Sequence, residues 1–186
     1  MALLEGLSKV NRTAVYYPRV NQHLLDIPVA EYQKSLQVNT IAPYVSAQHA
    51  VESFSRVAND GPKAFLYTGN CLNSQIVPRF WAMGAPKSAS AHMIAAAALS
   101  YDRSGFRYFP LTGPCWTNNV EDLRIMLMMD NRFYYVDERT PQGGPMYDAL
   151  NGEAHAKIFW ELSHLPTQER PIVTFVNGKG RVDFDT

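Results

Sequence analysis

A strand, a loop and an alanine-rich helix follow one another near the middle of the chain, and this order constrains the fold more than any other feature. Residues 63–69 form a short apolar run that ends at glycine, which is typical of a strand buried on both faces of a parallel sheet. Residues 70–85 form the predicted loop, and Pro86 precedes residues 87–99, the segment with the strongest helix propensity. Ligands of open α/β sheets bind at the carboxyl ends of strands. The pattern therefore predicts that Lys87 lies at the mouth of a site.

The remaining patterns alternate between strands and helices along the chain. Residues 29–39 carry apolar side chains at helical spacing, and the same helix can extend past Pro43, where proline predicts a kink. Another helix is predicted from about residue 152 to residue 165. The predicted strands are residues 13–17, 64–68, 133–136 and 172–176. This alternation predicts an α/β fold with a mostly parallel sheet and helices on both faces.

Two similar aromatic segments compete for the third of these strands, residues 105–110 and residues 131–136. Pro110 interrupts the first segment, and a proline removes a hydrogen-bond donor from the sheet. We therefore predict that residues 133–136 form the strand. Between the two segments, residues 120–129 are predicted to form a helix whose methionines fill a core.

Length, charge and cysteine content limit the classes of function. At 186 residues, the chain has the length of one domain, residues 1–186. The 17 basic residues balance the 17 acidic ones, so no general attraction to nucleic acid or to anionic lipid is expected. The two cysteines match neither a metal site nor a disulfide framework, and no apolar run reaches membrane-spanning length. We expect a soluble, cytoplasmic protein that binds neither nucleic acid nor membranes.

Several local motifs follow one another in an order that fits a known enzyme family. Residues 25–39 resemble a helix that ends in Val-Asn, and residues 64–73 (AFLYTGNCLN) resemble a fifth strand with its catalytic loop. Lys87 matches the lysine of a Tyr-x-x-x-Lys motif. Residues 133–139 (FYYVDER) and 151–156 (NGEAHA) resemble a sixth strand and the helix after it. Together these motifs resemble the short-chain dehydrogenase/reductase family, most closely a divergent fungal-type branch.

The resemblance implies an incomplete Rossmann-like fold of three layers and an NADP- or NAD-dependent oxidoreductase that acts on a small carbonyl or alcohol. In this family a tyrosine exchanges a proton with the substrate, a lysine lowers its pKa and holds the nicotinamide ribose, and a serine polarises the carbonyl. Asn39, Asn70 and Lys87 are the catalytic candidates that the resemblance supplies, and Lys87 is also the cofactor-binding candidate. Asn70 would donate a hydrogen bond to the carbonyl, and Asn39 would hold a water beside Lys87.

Three departures from the family pattern imply an impaired activity. The opening strand, the glycine-rich turn and the first helix have no counterpart, so the chain resembles an amino-terminally truncated member. Met83 occupies the tyrosine position and Asn70 the serine position. Residues 108–132 resemble an insertion, and Asn177 to Gly180 predicts a turn rather than a replacement phosphate loop. The alternative is a non-catalytic remnant that acts as a binding or assembly module.

The same residues also have ordinary structural interpretations. Lys87 can be a solvated residue of a first helical turn, and Asn70 can cap a turn. Several other side chains could take part in catalysis or binding only if the fold places them near a suitable partner. They are Cys71, His92, His155, the Asp137–Glu138 pair, and the tyrosines Tyr67, Tyr134 and Tyr135. A buried, inert thiol and a solvated carboxylate pair are the more common outcomes. A tyrosine replaces the missing phenol only if the fold brings it near Lys87.

Association is expected from two features. Without the opening strand, residues 13–17 would leave a sheet edge with unpaired amides and carbonyls. The family commonly dimerises through the helices that correspond to residues 29–57 and 87–99. Small residues on the second helix would permit close packing, namely Ala89, Ala91, Ala95 and Ala98. We therefore predict a homo-oligomer.

Overall fold

The computed structural model describes residues 23–56, 63–101 and 131–184. The described helices are α1 (Val29–Leu36), α2 (Ala42–Arg56), α3 (Trp81–Tyr101) and α4 (Gly152–Ser163). The described strands are β1 (Lys63–Thr68), β2 (Asn131–Glu138), β3 (Ile172–Val176) and β4 (Gly180–Arg181). A π-helical segment, Gln37–Ile41, joins α1 to α2, and short 3₁₀ turns lie at Cys71–Asn73, Pro78–Phe80 and Tyr147–Ala149.

The four strands form one sheet in the order β1-β2-β3-β4. The first three strands are parallel, and β4 pairs antiparallel with β3. The predicted α/β fold with a mostly parallel sheet is confirmed, because α2 and α3 pack on one face and α4 on the other. The predicted strand 13–17 lies outside the described residues, as does the predicted helix 120–129.

The choice of residues 133–136 as the third strand is confirmed. β2 pairs with β1 along its length, with Phe65 opposite Phe133 and Tyr67 opposite Tyr135. The rival segment, residues 105–110, lies outside the described part of the chain. β2 begins at Asn131, so the last two residues of the predicted insertion belong to the sheet.

The start of α3 differs from the prediction. We predicted a loop up to residue 85 and a helix after Pro86, but the helix begins at Trp81 and contains Pro86. Proline has no N–H, so the carbonyl of Ala82, four residues earlier, loses its helical donor. The Ser35 hydroxyl donates to that carbonyl at 2.7 Å. The helix can continue through the proline because a side chain from α1 replaces the missing hydrogen bond.

A π-helical segment, Gln37–Ile41, lies just before Pro43, the residue at which the sequence predicts a kink. Pro43 cannot donate to the carbonyl of Asn39, and the Ala42 N–H bonds to the carbonyl of Gln37 instead. The Ser90 hydroxyl of α3 donates to the Asn39 carbonyl. Ser35 of α1 thus bonds to the carbonyl that lies four residues before Pro86, and Ser90 of α3 bonds to the carbonyl that lies four residues before Pro43.

The carboxyl-terminal elements follow the prediction closely. The turn at Asn177 to Gly180 joins β3 to β4, and Gly178 and Gly180 have φ angles of +78° and +77°. Such φ angles favour glycine. The segment is therefore a hairpin turn that leads into no helix, as predicted. Helix α4 ends at Ser163, slightly before the predicted residue 165. None of the helices in the described ranges has the length and apolar content needed to cross a membrane.

Candidate functional site

Lys87 lies inside the protein, between α3 and the sheet. Its exposed fraction is 2%. Its Nζ donates to the Tyr67 hydroxyl at 2.7 Å and lies 4.6 Å from the centroid of the Tyr67 ring. The solvated alternative is therefore wrong, and the amine that the sequence places at a site mouth is enclosed by the protein. The reason is the earlier start of α3, which puts Lys87 in the second turn of the helix and on its buried side.

Burial changes the proton affinities of both partners. Desolvation lowers the pKa of Lys87 to about 8, and the negative charge of Asp137 acts in the opposite direction. Desolvation raises the pKa of Tyr67 to about 12, against the effect of a hydrogen bond with Ser90. At neutral pH the amine is therefore charged and the phenol keeps its proton.

Asn39 lies next to this pair. It is buried, and its amide donates to the Ser35 carbonyl at 3.1 Å and to the Ser35 hydroxyl at 3.3 Å. Its own carbonyl accepts from Ser90 and lies 3.5 Å from the Tyr67 hydroxyl, a long contact. The fold thus brings Asn39 and Lys87 together, with the Tyr67 hydroxyl between the amine and the carbonyl.

Asn70 has the role of a turn cap. Its side chain accepts a hydrogen bond from the Leu72 N–H at 3.1 Å, at the start of the 3₁₀ turn. Its backbone N–H donates to the Tyr135 hydroxyl at 3.0 Å, and its carbonyl accepts from that hydroxyl at 2.9 Å. A Cβ on Gly69 would lie 1.9 Å from the Tyr135 ring, so the ring reaches this position only because residue 69 is glycine. Asn70 is connected to the Lys87 pair through Tyr135, whose ring centroid lies 5.7 Å from that of Tyr67.

Met83 lies one helical turn before Lys87 and is packed into a small apolar cluster. The cluster contains Cys71, Leu72 and Met83, with Val77 and Phe80 against it. Methionine has no exchangeable proton, so this position cannot perform the acid–base role of a phenol. Cys71 is 2% exposed, and burial raises its pKa. The expectation of a buried, inert thiol is therefore met.

The carboxylates at the end of β2 are buried, contrary to the solvated pair that we expected. Asp137 pairs with the Arg139 guanidinium, which also donates to the Gly143 carbonyl at 3.0 Å. Glu138 accepts from the Asn151 N–H at 2.7 Å on the other face of the sheet. The sequence did contain a signal, because residues two apart in a strand share a face and Arg139 follows Asp137 at that spacing.

Two further residues of the cluster, Ser35 and Ser90, were not among the predicted site residues. Both are fully buried and bind carbonyls that Pro86 and Pro43 expose. A proline inside a helical pattern signals that a carbonyl needs a new donor. Nothing in the local sequence identifies which hydroxyl provides it, since the Ser35 and Ala82 partners are separated by 47 positions.

The described residues do not fit a tightly held dinucleotide. The amine of Lys87 bonds to Tyr67, so a ribose hydroxyl would have to displace that bond to reach it. Pyrophosphate groups bind at glycine-rich turns that open a helix. In the described ranges, the loop after β1 leads instead into a three-residue 3₁₀ turn, Cys71–Asn73. In the described ranges, these residues therefore do not form a site that would hold the cofactor tightly.

The fold and these side chains define an α/β protein with an enclosed lysine–tyrosine pair, and comparison with known proteins shows what the chain is similar to. No family model matches the chain. A curated short-chain dehydrogenase/reductase from Cryptosporiopsis sp. (strain 8999), dmxR12, is 36% identical over 161 residues, which cover 87% of this chain and 54% of that protein. A solved structure named "Putative oxidoreductase from Escherichia coli str. K-12" covers 89% of this chain and 60% of its own, at 13% identity and a TM-score of 0.49.

The sequence relationship confirms the predicted resemblance. Over 87% of its length the chain is similar to a curated short-chain dehydrogenase/reductase. It spans about half the length of the curated relative that it matches. Members of this family generally use NAD or NADP.

Proposed function

We propose that the chain is an NAD(P)(H)-linked oxidoreductase with impaired activity toward a small carbonyl or alcohol substrate. The family relationship supports the class of reaction. The observation that carries the proposal is the 2.7 Å contact between Lys87 at the family's lysine position and a phenol, Tyr67. We further propose that the protein acts in the cytoplasm on a small molecule and binds neither nucleic acid nor membranes.

The charge states of the pair support a proton-donating site. Because the pKa of Lys87 is about 8 and that of Tyr67 about 12, both groups hold their protons at neutral pH. A group that holds its proton can donate it to an oxygen that gains negative charge, as in carbonyl reduction. Enclosure of the pair and the loss of a phenol at Met83 are the reasons to expect a low rate.

Cofactor binding is the direct test. NADPH and NADH are titrated separately by calorimetry into the wild-type chain, and we expect binding that is weak for this family. Lys87→Ala should reduce the affinity, whereas Lys179→Ala, an exposed lysine in the β3–β4 turn, should leave it unchanged. Absence of binding at millimolar concentrations of both cofactors would refute the proposal.

A second candidate is a non-catalytic module that binds or assembles with other molecules. It is supported by the enclosure of Lys87 and by the apolar packing of Met83 at the tyrosine position. The two candidates differ in turnover. If a panel of small carbonyl compounds with NADPH gives turnover that disappears in Lys87→Ala, the non-catalytic candidate is excluded.

We also propose a homo-oligomer that forms through α2 and α3. A groove of about 400 Å³ lies between these helices, lined in part by Tyr44, Val51 and Met93. Of the small residues predicted to pack between subunits, Ala91 and Ala98 lie in the core of the chain itself. Size-exclusion chromatography with light scattering tests the proposal. A single species at the chain mass of 20.9 kDa, at tens of micromolar, would contradict it.

A further inference from the structure

We propose that Tyr67 is the positioning residue of this site, which holds the Lys87 amine against the sheet and fills the space between that amine and the Asn39 carbonyl. The inference rests on the proposed function in one respect, because it takes Lys87 as the functional lysine of the candidate oxidoreductase site. It assigns to the chain's own hydroxyl a position in which the sequence predicted a water.

The contacts of Tyr67 support this assignment. Its oxygen accepts from the Lys87 amine at 2.7 Å, and the same amine lies 4.6 Å from the centroid of its ring. The oxygen also faces the Asn39 carbonyl at 3.5 Å. Tyr67 and Lys87 are 5% and 2% exposed, so water has little access to the pair. A charged amine in such surroundings depends on the protein for its hydrogen bonds.

The other two tyrosines raised by the sequence have different partners. The Tyr135 hydroxyl bonds to the backbone of Asn70. Tyr134 lies on the opposite face, in the cluster under α4, and its hydroxyl accepts from the Glu169 N–H at 3.2 Å. Of these three phenols, Tyr67 is therefore the one in hydrogen-bond contact with Lys87.

The other titratable groups on this face of the sheet come from β2 and the residue after it. Tyr135 and Asp137 come from β2, and Arg139 follows them on the same side of the sheet. Asp137 favours the charged amine, but it is itself paired with Arg139. Tyr67 is thus the direct partner, and removal of its hydroxyl should destabilise the charged form of Lys87.

The test is the titration of Lys87 itself. Chains labelled with ¹³Cε-lysine are titrated by NMR, and the Lys87 signal is assigned by its loss in Lys87→Met. Tyr67→Phe keeps the ring but removes the hydroxyl, and it should lower the Lys87 midpoint from about 8 by about one pKa unit or more. The matched control is Tyr135→Phe, which removes a neighbouring buried hydroxyl and should move the midpoint by less than about 0.3 units.

Two outcomes would overturn the inference, namely an unchanged midpoint in Tyr67→Phe, or an equal shift in Tyr135→Phe. If Tyr67→Phe fails to fold, an NMR measurement on the wild-type chain still tests whether Tyr67 contacts the Lys87 amine. At low temperature and pH 6, the Lys87 Nζ protons should show a nuclear Overhauser contact with the Tyr67 ring, and its absence would refute the assignment.

Failure of this inference can be distinguished from failure of the proposed function, because the lysine titration requires neither cofactor nor turnover. A shift in Tyr67→Phe without cofactor binding would refute the proposed oxidoreductase and leave the positioning role intact. Cofactor binding by the wild-type chain, together with an unchanged Lys87 midpoint in Tyr67→Phe, would support the oxidoreductase and refute the positioning role of Tyr67. If turnover is found, its pH profile should move in Tyr67→Phe in the same direction as the lysine midpoint, which a merely structural role would not cause.

Discussion

Both faces of the sheet carry an apolar core, but the face under α2 and α3 also holds a cluster of hydrogen-bonded polar side chains around Lys87. Under α2 and α3 lies a polar cluster, whose members are Ser35, Asn39, Tyr67, Lys87 and Ser90. Under α4 lies an apolar cluster of Tyr134, Val136, Ala154, Ile158, Leu162, Val173 and Phe175. Apolar contact is non-directional, so removal of one side chain costs stability without redirecting its neighbours. In the polar cluster each group depends on a specific partner, so one change alters the state of the next.

The largest effect on stability is expected in the apolar cluster. Leu162 is fully buried in α4, so Leu162→Ala should lower the free energy of unfolding by about 2–5 kcal/mol, measured by urea denaturation. The Lys87 titration midpoint should not change. The same substitution at Leu99, which is 73% exposed, should cost less than about 0.5 kcal/mol. A shift of the Lys87 midpoint in Leu162→Ala would show that the two faces are coupled.

The second largest effect is a pH dependence of the free energy of unfolding that is caused by Lys87. The folded state loses the lysine proton near pH 8, whereas an unfolded lysine keeps it up to about 10.5, so the unfolded state binds more protons between these values. The free energy of unfolding should therefore rise by about 2–3 kcal/mol from pH 8 to pH 10. Above pH 10 the raised pKa of Tyr67 acts in the opposite direction, because the unfolded tyrosine loses its proton first.

Lys87→Met should remove this rise, measured by urea denaturation at each pH. Methionine fills a similar volume and carries no charge, so stability below pH 8 should increase or remain unchanged. Lys179→Met, at an exposed lysine, should keep the pH dependence of the wild type. A rise that persists in Lys87→Met would mean that another group causes it.

A smaller effect is expected at the serine that supports α3. Ser35→Ala removes the donor to the Ala82 carbonyl, which should cost about 1–3 kcal/mol of unfolding free energy. In a Pro86→Ala background the helix supplies its own N–H to that carbonyl, so the same change should cost clearly less. The exposed Ser100, which donates to the Ala96 carbonyl at 2.8 Å, gives the matched control as Ser100→Ala. Equal costs of Ser35→Ala with and without Pro86 would contradict this account.

The smallest effect is expected at Asn70. A serine can also cap the turn, so Asn70→Ser should change stability by less than about 0.5 kcal/mol, whereas Asn70→Ala should cost about 1 kcal/mol. If the cap is its main role, neither variant should change the affinity for NADPH in calorimetry. A large loss of affinity in Asn70→Ala would instead show that the Asn70 amide contacts the ligand.

Much of the fold could be predicted because its signals are local. The strands at 64–68, 133–136 and 172–176 and the turn at Asn177 to Gly180 follow from apolar runs and glycines that act over a few residues. The resemblance to a short-chain dehydrogenase/reductase could also be recognised, since it depends on the order of short motifs.

The surroundings of the candidate site depended on contacts between distant residues. Whether Pro86 begins α3 or lies inside it depends on Ser35, which comes from another helix. That difference in the helix start decided that Lys87 is buried and that its amine meets Tyr67 on β1. A sequence pattern identifies a carbonyl or an amine that needs a partner, but only the packed helices and sheet determine which side chain is close enough to provide it.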